Sequence, residues 1–178
     1  MTTVLLVALG AVALVFVVLY NGLVRARQRV REAWSAIDVQ LQRRASLIPN
    51  LVESVKGYAA YERDTLQRVV EARTALGTAA SPTAAARANQ ELTSALGIFF
   101  AVAEAYPDLK ANERFAQLQT DLTDTENKVA FARNYYNGAV EAYNIKVQSV
   151  PGLLVARPLA FSPAEFFTAD SGTKSADH

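Results

Sequence analysis

No charged side chain occurs between Met1 and Val24. This constrains the chain more than any other feature, because a helix that is apolar on every face has no polar side to turn to water. A helix rises about 1.5 Å per residue, so roughly 20 apolar residues cross the hydrocarbon of a bilayer. The run from Val4 to Tyr20 meets that length and ends on an aromatic residue of the kind found at membrane interfaces. Arg25, Arg27, Arg29 and Arg31 follow directly. A cleaved signal peptide has its positive charge before the apolar core and small residues at the cleavage site. Here the order is reversed, and the segment reads as a retained transmembrane helix, residues 1–24. Basic residues next to a span favour the cytoplasmic side. The expectation is therefore a single-pass inner-membrane protein with its soluble part in the cytoplasm, the extracytoplasmic side being the alternative. Tyr20 and the four arginines form the expected interface with the lipid bilayer, where guanidinium groups can meet anionic headgroups.

Beyond the span the apolar residues keep a helical period. Val30, Trp34, Ile37, Leu41, Ala45, Ile48, Val52, Val55, Ala59, Leu66 and Val69 advance mostly by three or four, which places them on one face. Pro49 lies within this stripe. A proline removes a backbone donor and crowds the preceding turn, so the reading is one long helix to about Leu76, kinked at Pro49. Two antiparallel helices are the rival. Gly77 to Pro82 reads as a turn, with Ser81 as N-cap and Pro82 at the first helical position. A second helix covers about Thr83 to Ala105 and stops at Tyr106-Pro107-Asp108, after which Asp108 or Asn112 can cap the next.

The third helix has the most regular pattern. Phe115, Leu118, Leu122, Thr125, Val129, Ala132, Tyr136, Ala139, Tyr143 and Val147 follow coiled-coil-like heptad spacing. Trp34, Tyr136 and Tyr143 are read as core, whereas Tyr135 points elsewhere. After Val150-Pro151-Gly152 the tail is apolar but irregular. It is expected to be extended, with one helical turn around Ala164 to Phe167 and with Phe161, Phe166 and Phe167 docked on the bundle or forming a patch for a partner. Residues 169–178 are expected to be disordered. The fold class is all-α: an N-terminal transmembrane helix followed by an elongated antiparallel bundle of three to four helices over residues 25–168.

Composition excludes several chemistries. The chain contains no cysteine, and its one histidine is His178. Disulfides, thiolate nucleophiles and cysteine-ligated metals are ruled out. A net charge of +1 gives no electrostatic footprint for nucleic acid. No phosphate-binding glycine loop, HExxH motif or Ser/His/Asp set is present. Asp38, Asn50, Glu53, Asp124, Asn127 and Asn134 are the polar residues to account for. The reading is interhelical pairing that fixes register, since a buried, unpaired polar group costs about 1–3 kcal/mol. No catalytic, cofactor-binding or metal-binding residue is assigned. The rival is a polar pocket around Glu53 and Asp124 serving a small-ligand sensor or an enzyme.

Three segments resemble the LemA family: Trp34 to Tyr58 (WSAIDVQLQRRASLIPNLVESVKGY), Phe100 to Asn112 (FAVAEAYPDLKAN) and Leu122 to Asn137 (LTDTENKVAFARNYYN). The resemblance covers about Tyr20 to Phe167. It implies a bacterial membrane protein with an N-terminal span, an antiparallel helical bundle and no established enzymatic activity. It also implies an association with membrane organisation, magnetosome membranes included, and with membrane proteases or TPM-type proteins as partners. The tail departs from the pattern: Ser162-Pro163 stands where relatives have lysine-rich residues before a Tyr-Phe pair, so no tail function is carried over. The expected function is a non-enzymatic scaffold or adaptor that self-associates as a homo-oligomer or docks other membrane proteins.

Overall fold

The computed structural model describes residues 1–56 and 63–169. Among them are six helices and no strand: α1 (Thr2–Val55), α2 (Arg63–Gly77), α3 (Pro82–Ala103), α4 (Pro107–Lys110), α5 (Glu113–Gln148) and α6 (Gly152–Ala156). The chain divides into two compact units. One comprises Met1–Ser35 and Tyr135–Glu165, the other Ala36–Asn134 and the segment from Phe166 onward.

In the second unit, the later part of α1 buries Ile37, Leu41, Ile48, Leu51 and Val55 against neighbouring helices. Val69 and Leu76 of α2, Leu92, Leu96 and Phe99 of α3, and Phe115, Leu122 and Val129 of α5 are buried in the same unit. Each such side chain contributes roughly 1.5–3 kcal/mol when fully removed from water. Phe99, Phe100 and Phe115 cluster with ring centroids 5.4 to 6.2 Å apart, and Leu109 of α4 is fully buried. The helix starts follow the sequence. Ser81 Oγ accepts from the Ala84 amide at 3.2 Å, with Pro82 opening α3. Asn112 Oδ1 accepts from the Arg114 and Phe115 amides at 2.9 and 3.3 Å, satisfying donors that the first turn of α5 leaves free.

The first correction concerns α1. It ends at Val55 and does not run to Leu76; a separate helix, α2, begins at Arg63. The chain has reversed between them, because Arg73 Nε donates to the Ala45 carbonyl at 3.3 Å. In one straight helix those residues would lie about 42 Å apart. The break is not at Pro49, which sits inside α1. Proline lacks the N–H that would bond the carbonyl four residues back. That carbonyl belongs to Ala45, and Arg73 supplies its donor from outside the helix. Ala59, counted in the apolar stripe, lies outside the described residues.

In the first unit α1 and α5 run antiparallel. Trp34 meets the Tyr136 ring edge to face at 5.6 Å, whereas the earlier Leu19 and Leu23 share a cavity with the later Lys146 and Ser149. Leu23, Ala26, Val30 and Ala33 are buried on α1, and Tyr136, Val140, Tyr143 and Val147 on α5. Trp34 itself is half-buried, and Tyr135 is exposed.

The second correction concerns the tail. Its helical turn lies at Gly152–Ala156, not at Ala164 to Phe167. The turn closes with the Phe161 amide on the Ala156 carbonyl at 3.0 Å and the Ala160 amide on the Arg157 carbonyl at 3.3 Å. Ala160 stands at φ 54°, the left-handed position that ends many helices and is usually glycine. From Phe161 the chain is irregular, because side chains of α5 hold its backbone open. Tyr143 Oη donates to the Ser162 carbonyl at 3.0 Å and Tyr136 Oη to the Glu165 carbonyl at 2.8 Å. Asn144 clamps Ala164 twice, donating to its carbonyl at 3.0 Å and accepting from its amide at 2.8 Å. Phe161 and Phe167 are buried and Phe166 is exposed. Of the segment expected to be disordered, Ala169 is placed, its carbonyl accepting from Arg87 Nε at 3.3 Å; residues 170–178 lie outside the described residues.

Candidate functional site

The N-terminal part of α1 is the most apolar surface of the chain. None of its apolar stretch from Val4 to Val18 is buried by other parts of the protein. Val4, Leu5, Leu6, Leu9, Val12, Leu14 and Phe16 all present their side chains outward. Elsewhere the long helices bury most of their apolar residues, with Val39, Ile98, Phe131 and Ile145 left exposed. Such a helix is long and apolar enough to cross a membrane.

The residues expected at the interface lie at the end of this stretch. The Tyr20 ring packs edge to face on Phe161 at 6.1 Å. Arg27 stacks over the same Phe161 ring, its guanidinium carbon 5.7 Å from the centroid. Arg25 Nε turns back to the Asn21 carbonyl at 3.2 Å. Arg29 and Arg31 are exposed. Burial pushes the Tyr136 hydroxyl up to about 12, aided by the Glu165 carboxylate, and raises Tyr143 as well, with Arg27 acting against it. Both phenols therefore stay neutral donors to the tail.

The polar residues singled out in the sequence take varied places. Asp124 lies 4.0 Å from Arg43 of α1 and 2.8 Å from Lys128 of its own helix. The Lys128 hydrogen bond holds the Asp124 carboxyl below the usual carboxylate range. Asp38 accepts from Gln42, one turn on, at 2.7 Å. Glu53 pairs with Lys56 at 2.6 Å within the same stretch. Asn50, Asn127 and Asn134 are exposed. Among the described residues no group of three or more His, Asp or Glu side chains is placed to hold a metal ion.

Sequence reasoning missed Arg44. This side chain is only 1% exposed. Its guanidinium donates to Asn89 Oδ1 of α3 at 2.7 Å and to Glu126 Oε2 of α5 at 3.5 Å, tying three helices together. Burial lowers its pKa and Glu126 raises it. An arginine keeps its charge under either pull. Its Nε has no hydrogen-bond partner among the described residues. The signal was positional: Arg44 falls between Leu41 and Ile48 on the buried face.

A surface cleft of about 650 Å³ opens between α2 and α3. Arg68 and Glu71 line it from α2, Arg87 and Glu91 from α3, over a floor that includes Ala72 and Ala95. Neither Glu53 nor Asp124 lines it. Its charges alternate in sign, so it offers hydrogen bonds and ion pairs to a group of mixed charge and no reactive constellation.

The model of the LemA family matches residues 33–177. The chain is similar to Protein LemA of Metamycoplasma hominis, 25% identical over 92% of this chain and 75% of that protein. It is similar also to Magnetosome protein MamQ 2 of Paramagnetospirillum magneticum and Magnetosome protein MamQ of Magnetospirillum gryphiswaldense, at 26% and 25% identity over 83% of this chain. The chain spans 64% of the length of each magnetosome relative. Neither the family description nor these names describe an enzyme. With a family match over most of its length and an all-helical fold behind an apolar N-terminal helix, the chain belongs to the LemA family.

Proposed function

We propose that this protein is a single-pass membrane scaffold or adaptor, held in the bilayer by the first part of α1 and self-associating or docking other membrane proteins through its helices. The observation that carries the reading is the bare apolar N-terminal helix. Only lipid or another apolar helix can cover side chains that no part of the protein buries. The helical remainder supports the scaffold role, since it presents long exposed helix faces and its polar groups tie helices to one another. The magnetosome names of two relatives support a role at a membrane. The basic residues after Val24 favour a cytoplasmic soluble part. The test is crosslinking in native membranes followed by size measurement of the full chain in mild detergent. A homo-oligomer or a reproducible membrane-protein partner is expected; a strict monomer crosslinked to nothing overturns the proposal. Protease treatment of intact spheroplasts tests the orientation, with digestion of the soluble part from outside overturning the cytoplasmic assignment.

A second reading, a small-ligand sensor, has one observation in its favour. The α2–α3 cleft, about 650 Å³, falls in the size range of ligand sites. A thermal shift with zwitterionic small molecules that vanishes in Arg87→Ala favours this reading over the first.

A further inference from the structure

We propose that the corner joining α5 to α6, Val150 to Leu159, is a second membrane contact, which enters the headgroup region of an anionic bilayer beside the emerging α1. The inference rests on the reading of the N-terminal apolar stretch as a span, and it adds a surface that the span alone does not imply.

Position comes first. A cavity of about 210 Å³ is walled by Val18, Leu19 and Leu23 on one side and by Lys146, Ser149 and Pro151 on the other. Val18 to Leu23 belong to the last part of the uncharged stretch. A corner packed against them sits at the depth where a spanning helix leaves the hydrocarbon. It cannot stand clear of the membrane while α1 crosses it. Gly152 lets the corner form: a Cβ there would come within 2.0 Å of the Lys146 carbonyl oxygen.

The surface chemistry suits that depth. α6 is two-sided, with Val155 and Ala156 buried and Leu154 69% exposed. Val150 is 72% exposed, and Leu159 is exposed on the same segment. These outward apolar groups flank the turn rather than scatter along a helix. The charge around them has one sign. No acidic residue occurs between Glu141 and Glu165 or before Glu32, whereas Lys146, Arg157, Arg25 and Arg27 all fall in those stretches. Apolar tips amid cations are what an interfacial segment needs, burying hydrocarbon at the headgroup boundary and pairing charge with anionic lipid.

The absence of native cysteine allows a direct measurement on the full chain. Single Val15→Cys, Leu154→Cys and Tyr135→Cys variants are labelled with an environment-sensitive fluorophore. Each is reconstituted into phosphatidylcholine–phosphatidylglycerol vesicles carrying nitroxide lipids at shallow or deep positions. Tyr135 serves as the dry-land reference: it is exposed and about 20 Å along α5 from Gln148, where the corner begins. The expected result is strong deep quenching at Val15 and shallow quenching at Leu154 several-fold above that at Tyr135. Quenching at Val15 with Leu154 behaving like Tyr135 overturns the proposal while leaving the span intact. No quenching at Val15 overturns the span itself. A blue shift at Leu154 without quenching assigns the corner to contact with a second copy and also overturns the proposal. An unchanged helical circular dichroism spectrum checks that each variant is folded.

Discussion

Arg73 donates its Nε to the carbonyl of Ala45 at 3.3 Å, and that carbonyl is the one Pro49 leaves without its donor one turn on. The bond lets a proline sit inside α1 and ties α2 to the point of weakness. Arg73→Ala should cost about 0.5–1.5 kcal/mol, the net worth of one hydrogen bond. In a Pro49→Ala background the intrahelical bond returns and the same substitution should cost a few tenths of a kcal/mol or less. A double-mutant cycle by denaturant unfolding in detergent measures the difference; equal costs in both backgrounds refute the link.

Arg44 should tolerate an apolar replacement of similar length better than truncation. Both Arg44→Ala and Arg44→Met leave Asn89 and Glu126 without the guanidinium, but Arg44→Ala also leaves a void, whereas Arg44→Met fills the space. Glu126→Ala removes the counter-charge and should cost about 1–3 kcal/mol. Melting temperatures should rank wild type and Arg44→Met above Arg44→Ala.

The tail should loosen when its clamp is cut. Asn144→Leu removes both bonds to Ala164 and should cost about 1–2 kcal/mol. Hydrogen exchange should accelerate over 161–168 and remain unchanged in the middle of α3. Uniform acceleration across the chain would mean that the clamp is part of the global core.

Tyr136 sets an alkaline limit. Its folded pKa, about 12, lies above the ordinary tyrosine value of about 10. Below pH 10 both folded and unfolded states hold the proton, and the contribution is complete. Between about 10 and 12 only the unfolded state loses it, so stability falls over that window and then levels off. Tyr136→Phe should flatten this part of the stability–pH curve, and ultraviolet titration should show one fewer late-ionising phenol.

Ala160 occupies a glycine position. An L-residue at φ 54° is disfavoured by about 1–2 kcal/mol, partly offset by the greater freedom of glycine in the unfolded chain. Ala160→Gly should stabilise by about 0.5–1 kcal/mol. Gly152→Ala should do the opposite more strongly, because its new methyl group meets backbone. Paired thermal melts give both signs.

The sequence made most of the helices legible. Ser81-Pro82 marks the start of α3, and the heptad run of α5 lands Tyr136, Tyr143 and Val147 in the interior. The end of α1 escaped because each helix of a hairpin buries its own face. When the link preserves the three-and-four spacing, the pattern is the same for one helix as for two. Arg44 escaped because a charged residue was counted as surface and the step between Leu41 and Ile48 was given to Ala45, although Arg44 is equally on phase and is the one that is buried. The pinned tail escaped for another reason. Its bonds run from the side chains of Tyr136, Tyr143 and Asn144 to main-chain atoms, and main-chain acceptors leave no trace in residue identity.

No hinge interrupts α1 between Leu19 and Ser35, so the exposed apolar stretch and the first packed turns beyond it move as one lever. Bilayers of different thickness tilt a span to match its apolar length. A change of about 10° would carry Ser35 sideways by roughly 4 Å over the 22 Å arm from Tyr20. In the proposed spanning arrangement, a change in the tilt of α1 would thus reach Ser35 as a sideways displacement of that size.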